Sequence, residues 1–132
     1  MTARTVGAVA AVVSAAIHLW LWVDGVKEQG VVGALFLVNV VAGVAIAVVL
    51  LRSSSWLPLL LLGGFGASTL GAFVIASTVG LFGIHTTWSG VAVWGATVSE
   101  VACVVTALLA ASREGFLPRG GVHHGQRAGS AG

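Results

Sequence analysis

Four runs of about twenty apolar residues dominate this chain, at 5–23, 31–51, 56–79 and 91–112. About 20 such residues in a helix cross roughly 30 Å of hydrocarbon. Each run is therefore long enough to span a bilayer, and together they leave no room for a separate soluble domain. Only 8% of the residues are charged and 58% are hydrophobic, whereas a soluble domain carries about 25% charge. Six basic and four acidic residues cannot cover a water-soluble fold of this size. The expected class is an all-α membrane protein: an antiparallel bundle of four transmembrane helices within residues 1–112. A disordered cytoplasmic tail, 113–132, follows. The net charge of +2 is too small and too scattered for nucleic-acid binding. The lipid bilayer is the expected partner, with a second copy or a larger membrane complex beside it.

The basic residues give the orientation. Arg4 precedes the first run, Arg52 lies between the second and third, and Arg113, Arg119 and Arg127 follow the fourth. The opposite side holds Lys27, with Asp24 and Glu28 beside it, and the uncharged loop "GLFGIHTTWSG". The positive-inside rule then puts both termini in the cytoplasm and both hairpin tips outside a bacterial plasma membrane. The first run is long for a signal peptide and ends in "HLWLWVDG" rather than a small-x-small cleavage site, so it is expected to stay as a helix.

Local signals mark the ends. In "RSSSWLP", Ser55 is the expected N-cap, Trp56 an interfacial anchor and Pro58 a first-turn residue. Trp20, Trp22, Trp88 and Trp94 complete an aromatic belt. The tail "REGFLPRGGVHHGQRAGSAG" has no apolar period. Its adjacent His123 and His124 make poor chelators without a third ligand.

Within lipid, burying apolar area does not drive helices together, and small residues that allow close backbone approach matter instead. They recur every four residues: Gly7, Ala11 and Ala15 in the first run, Gly63, Ala67 and Gly71 in the third, and Gly95, Ser99, Cys103, Ala107 and Ala111 in the fourth. In the second run Asn39, Gly43 and Ala47 share a face. Cys103 cannot form an intramolecular disulfide and serves as a small packing residue.

Besides serine and threonine hydroxyls, three polar side chains fall inside the runs. His18 shares the small-residue face of the first helix, about 9 Å below its outer end from the rise per residue. Glu100 lies roughly 14 Å deep in the fourth helix, on the face of Ala96, Cys103 and Ala107. Asn39 lies at similar depth in the second, and His85 sits in the outer loop above them. A charged carboxylate at mid-helix costs at least roughly 2.5 kcal/mol on insertion scales, so Glu100 needs a partner or a proton. His18, Asn39, Ser68 and Thr69 are the candidates, and His18, facing inward near the outer surface, is the expected partner.

The cluster His18, Asn39 and Glu100 can fix helix order through interhelical hydrogen bonds, a structural role without cofactor. Alternatively His18, His85 and Glu100 bind a transition metal or haem in a redox membrane protein, although their spacing matches no ligand motif. In a third reading His18 and Glu100 line the path of a proton-coupled small-solute transporter. No GxSxG, HExxH, CxxC or P-loop pattern occurs, and Thr86 and Thr87 lack an activating base. No catalytic residue is expected, and the chain is read as non-enzymatic.

The segment "HLWLWVDGVKEQGVVGALFLVN", His18 to Asn39, resembles the first hairpin of small four-helix membrane proteins common in high-GC actinobacteria. His18, Leu19, Leu21, Gly25, Lys27, Gly33, Leu35, Phe36 and Leu37 follow that pattern, with Asn39 where a Gln is usual. "GLFGIHTTWSG" and the later Glu100 are similar to the second hairpin. The resemblance covers about three quarters of the chain and implies architecture, with no established activity. The family often has an acid two residues after the histidine. Here that position is Trp20, so a His-plus-acid site there would be lost, leaving Glu100 as the acid within the bilayer.

Overall fold

A computed structural model describes residues 2–81, 83–85 and 89–117. The expectations for Thr86, Thr87, Trp88, His123, His124 and the disordered tail beyond residue 117 lie outside the described residues. The described residues form four α-helices: α1 (Ala3–Asp24), α2 (Val31–Arg52), α3 (Leu57–Thr78) and α4 (Val91–Arg113). All four are long and apolar enough to cross a membrane. At 22 residues, α1 is about 33 Å long from the helical rise, enough for the hydrocarbon layer. A short 3₁₀ turn, Val26–Glu28, joins α1 to α2, and a Leu81–Ile84 bridge tightens the α3–α4 connection.

The helix ends follow local chemistry. Thr2 accepts a hydrogen bond from the Thr5 backbone N–H at 3.2 Å, capping α1. The end of α1 needs a left-handed residue, which Gly25 supplies at φ 152°. The expected Ser55 cap on α3 does not form. Ser53 and Ser55 hydrogen-bond each other through their hydroxyls at 3.0 Å. The helix starts one residue later, with Trp56 at the cap and its carbonyl accepting from the N–H groups of Leu59 and Leu60. Pro58 does fall in the first turn, where its missing N–H leaves no gap.

The helices form a ring. α1 packs broadly on α2 and α4, α3 packs broadly on α4, and α2 meets α3 along a narrow strip. Close approach depends on glycine, as Gly43 and Gly66 show. A methyl group at Gly43 would stand 3.0 Å from the Ala11 carbonyl oxygen and 3.2 Å from Phe65, so three helices converge there. One at Gly66 would stand 2.6 Å from the Glu100 carbonyl oxygen, so α3 and α4 touch backbone to backbone. The α4 stripe of Ser99, Cys103 and Ala107 is buried as expected, as are Gly7, Ala11 and Ala15 of α1. The α3 stripe is corrected. Ala67 is exposed and Gly71 meets nothing within 4 Å, so α3 approaches α4 through Gly63 and Gly66 instead. A face with spacing three, set by the helix's rotation, replaces one with spacing four.

The core is divided along its length. Ala11, Leu50, Leu62, Cys103 and Ala110 are almost fully buried in one apolar cluster towards the Arg4 end. Ser14, His18, Asn39, Ser99 and Glu100 are buried in the other half. The outer surface carries large apolar side chains such as Val41, Leu60 and Val98, each more than 60% exposed. That arrangement suits lipid as solvent.

Candidate functional site

The buried polar residues sit on three helices. His18 is on α1, four residues after Ser14, and that spacing stacks one above the other on a helix face. His18 Nδ1 lies 2.7 Å from the Ser14 carbonyl oxygen and 3.4 Å from Ser14 Oγ. A carbonyl only accepts, so Nδ1 carries a hydrogen and donates it. The tautomer is thereby fixed, and Nε2 is turned into the bundle. Phe36 of α2 holds the ring from the side, with centroids 4.9 Å apart and planes tilted by 52°.

Glu100 of α4 faces His18 Nε2, with Oε1 3.5 Å away. Both side chains are almost fully buried. With Nδ1–H committed to Ser14, the facing atoms are both acceptors until one proton joins them. That proton makes either a neutral carboxylic acid beside imidazole or an imidazolium beside carboxylate, and the pair is net neutral in both forms. At 3.5 Å the atoms stand beyond the usual 2.7–3.2 Å of a direct N–H···O bond.

Ser14, His18 and Glu100 superficially have the composition of a nucleophile, base and acid. The connectivity does not support that chemistry. A general base must offer a lone pair to the serine hydroxyl, yet the nitrogen beside Ser14 is the one that carries hydrogen. The nearby hydroxyls are occupied within their own helices: Ser99 donates to Ala96 O at 2.7 Å, and Thr97 to Val93 O at 2.9 Å.

Asn39 does not join the pair. Its Nδ2 donates to Thr69 Oγ1 at 3.0 Å, and Thr69 donates onward to Phe65 O at 2.8 Å. Asn39 Oδ1 is buried without a hydrogen-bond partner among the described residues. Of the partners considered for Glu100, His18 is the one beside it, and Ser68 is exposed and bonded to Phe65 O.

A cavity of about 200 Å³ opens against the pair. Its wall includes His18 and Glu100 at depth, Thr69 and Thr97 at the sides, and Gln29 and His85 on the connecting loops. His85 is exposed, and its ring lies against Gly80. The candidate metal residues His18, His85 and Glu100 therefore line one cavity. Among the described residues, however, no three of His, Cys, Asp and Glu form a metal-holding group. A second cavity of about 450 Å³ runs between α2 and α3 and shares His18, Phe36, Val32 and Thr69 as a common wall. The smaller one lies in the polar half of the bundle, and the larger one continues into the apolar half, reaching Ile46 and Leu60.

Sequence reasoning missed one constellation, at the other end. Arg4 Nε lies 3.0 Å from both carboxylate oxygens of Glu114. Its Nη1 donates to Ser53 O at 2.8 Å and its Nη2 to Ser55 O at 2.6 Å. One guanidinium thus ties the start of α1 to the α2–α3 turn and the end of α4. The sequence signal was a lone arginine flanking an apolar run, read as an orientation signal only.

No family model, curated protein or solved structure matches the chain.

Proposed function

We propose that this chain is a small, non-enzymatic component of a bacterial plasma membrane, an accessory subunit of a larger membrane complex. In this reading the bundle is antiparallel with both termini cytoplasmic, and it belongs with the small four-helix actinobacterial proteins that its first hairpin resembles. The contacts of Arg4 with Ser53, Ser55 and Glu114 support a common end for residues 4, 53–55 and 114. The basic residues Arg4, Arg52 and Arg113 cluster at the same end, as the positive-inside rule requires of the cytoplasmic side.

The observation that carries the non-enzymatic role is the commitment of the polar groups. His18 Nδ1 is held by Ser14 O, Thr69 links Asn39 to its own helix, and the Ser99 and Thr97 hydroxyls bond helix carbonyls. The Asn39–Thr69 bond ties α2 to α3, the other contacts hold each side chain on its own helix, and among the described residues they leave no activated nucleophile. The test is purification of untagged protein in mild detergent from its native membrane. An accessory subunit co-purifies with a defined larger complex at fixed stoichiometry. Recovery of the chain alone, at the mass of one bundle, sinks that role.

A transporter is the second reading, favoured by the cavity that joins His85 and Gln29 at the loops to Glu100 at depth. It calls for proton-dependent solute uptake into proteoliposomes, abolished in Glu100→Gln while the fold is retained. Absence of such uptake across a panel of small solutes removes it.

A further inference from the structure

The smaller polar cavity ends on a floor built of hydrogen-bond acceptors. His18 gives its Nδ1 hydrogen to the Ser14 carbonyl at 2.7 Å, so Nε2 is left as a lone pair. Thr97 gives its hydroxyl hydrogen to Val93 O at 2.9 Å, and Thr69 gives its own to Phe65 O at 2.8 Å. Their oxygens keep acceptor capacity. The one hydrogen left on this floor is the proton shared by His18 Nε2 and Glu100 Oε1, which stand 3.5 Å apart. We propose that the cavity is a binding site for a small primary alkylammonium ion, which takes the place of that proton. The inference concerns binding alone and rests on neither the accessory role nor transport.

The donor count is the first observation. A primary ammonium has three N–H donors and no acceptor, the inventory of a lysine head group. His18 Nε2, Glu100 and Thr97 Oγ1 supply three acceptors on the wall of one cavity. Thr97 lies three residues before Glu100, on the same face of α4. A nitrogen at about 2.8–3.0 Å from each reaches both Nε2 and Oε1 across their gap. The bonds are charge-assisted and call for no further ligand residue.

The second observation is charge. A carboxylate within a membrane span needs a compensating charge. The proton shared with His18 supplies it in the free protein, and the ammonium supplies it in the complex. The exchange balances: one alkylammonium enters, one proton leaves, and Glu100 remains as carboxylate beside neutral His18. Few other groups titrate nearby. Cys103 follows Glu100 by three residues on α4, and His85 lies on the cavity wall from the α3–α4 connection. Among the described residues, α2 and α3 line the cavity with non-titrating side chains such as Phe36, Thr69 and Phe73.

The third observation is the wall above the floor. Phe36, Phe73, Ile84 and Val93 make it apolar, and the volume of about 200 Å³ admits a chain of a few carbons. Aromatic faces attract organic cations, and burial of methylenes favours propylammonium over ammonium itself. The cavity reaches Gln29 in the α1–α2 connection, which gives a route from the loop end. The apolar cluster of Ala11, Leu62 and Cys103 lies beyond the pair.

The test is calorimetric titration of untagged full-length protein in mild detergent with propylammonium chloride. The expected result is saturable binding of one ligand per chain, with one proton released, read in two buffers of different ionisation enthalpy. Tetramethylammonium has the same charge and no N–H, and should bind at least about tenfold more weakly. Glu100→Gln should abolish binding. Thr97→Val, which removes only a bond within α4, should weaken it about tenfold, as for one hydrogen bond to a charged group. Melting curves of both variants should stay close to the parent, so that lost binding is not lost fold. Wild-type protein without saturable binding overturns the proposal. So does equal binding of tetramethylammonium, binding that survives Glu100→Gln, or binding without proton release. None of these readouts depends on co-purification or on uptake into vesicles.

Discussion

The guanidinium of Arg4 and the carboxylate of Glu114 meet in a bifurcated contact, Nε lying 3.0 Å from each oxygen, across 110 residues of chain. The same guanidinium donates to two backbone carbonyls, so the Arg4 side chain is only 12% exposed whereas that of Glu114 is 33% exposed. The arginine is therefore the centre of the clasp and the glutamate one of its three attachments. Removal of the two should not be equivalent. Arg4→Met should lower stability by about 1.5–3 kcal/mol, the usual range for hydrogen bonds to a charged group. Glu114→Gln should cost less than about 1 kcal/mol, as for an ion pair open to solvent. Thermal melts followed by circular dichroism in detergent check the order, and equal shifts would contradict it.

The His18–Glu100 contact joins α1 to α4 at depth. Glu100→Gln can still donate to His18 Nε2, so its melt should lie within about 0.5 kcal/mol of the parent, small beside the net worth of a typical hydrogen bond. Glu100→Leu cannot donate, and leaves Nε2 facing hydrocarbon. Its cost should be about 0.6 kcal/mol and no more than about 1.7 kcal/mol, the average and the maximum for interhelical hydrogen bonds in a membrane protein. If both variants melt like the parent, the polar contact does not hold the bundle.

Gly66 and Gly64 are two residues apart on α3 and face different surroundings. A methyl group at Gly66 would meet the Glu100 carbonyl at 2.6 Å, and one at Gly64 would meet nothing within 4 Å. Gly66→Ala should therefore push α3 from α4 and destabilise by about 1–3 kcal/mol, as overpacking does. Gly64→Ala should be neutral or stabilising by up to about 1 kcal/mol through helix propensity. Parallel melts of the two variants read this directly. A destabilised Gly64→Ala beside an unaffected Gly66→Ala would reverse the assigned faces.

Asn39 makes one interhelical hydrogen bond and leaves Oδ1 unpaired. Thr69 keeps its bond to Phe65 O without it. Asn39→Leu removes an unsatisfied acceptor along with the bond, and such losses tend to cancel. The expected change is under about 1 kcal/mol, smaller than for Glu100→Leu. A larger loss on denaturant titration would show that Oδ1 has a partner after all.

The membrane class was legible because hydropathy sums over a whole run and needs no partner: four apolar stretches of this length have one solvent. The inward faces of α1 and α4 were legible too, since Ser14, His18, Ser99 and Cys103 follow the helical period. The start of α3 was misplaced by one residue because Ser53 and Ser55 satisfied each other rather than the helix end. The period also could not choose between Gly63–Ala67–Gly71 and Gly63–Gly66 on α3, where small residues occur on more than one side. That choice depends on the rotation of α3 against the α4 backbone. Only the packed bundle decided that Asn39 turns to Thr69 rather than to the His18–Glu100 pair, and that Arg4 reaches Ser53, Ser55 and Glu114. Sequence alone determined which groups could not face lipid, because that cost belongs to each residue. Tertiary structure decided which of them meet, because hydrogen bonds act over about 3 Å and their partners lie on different helices.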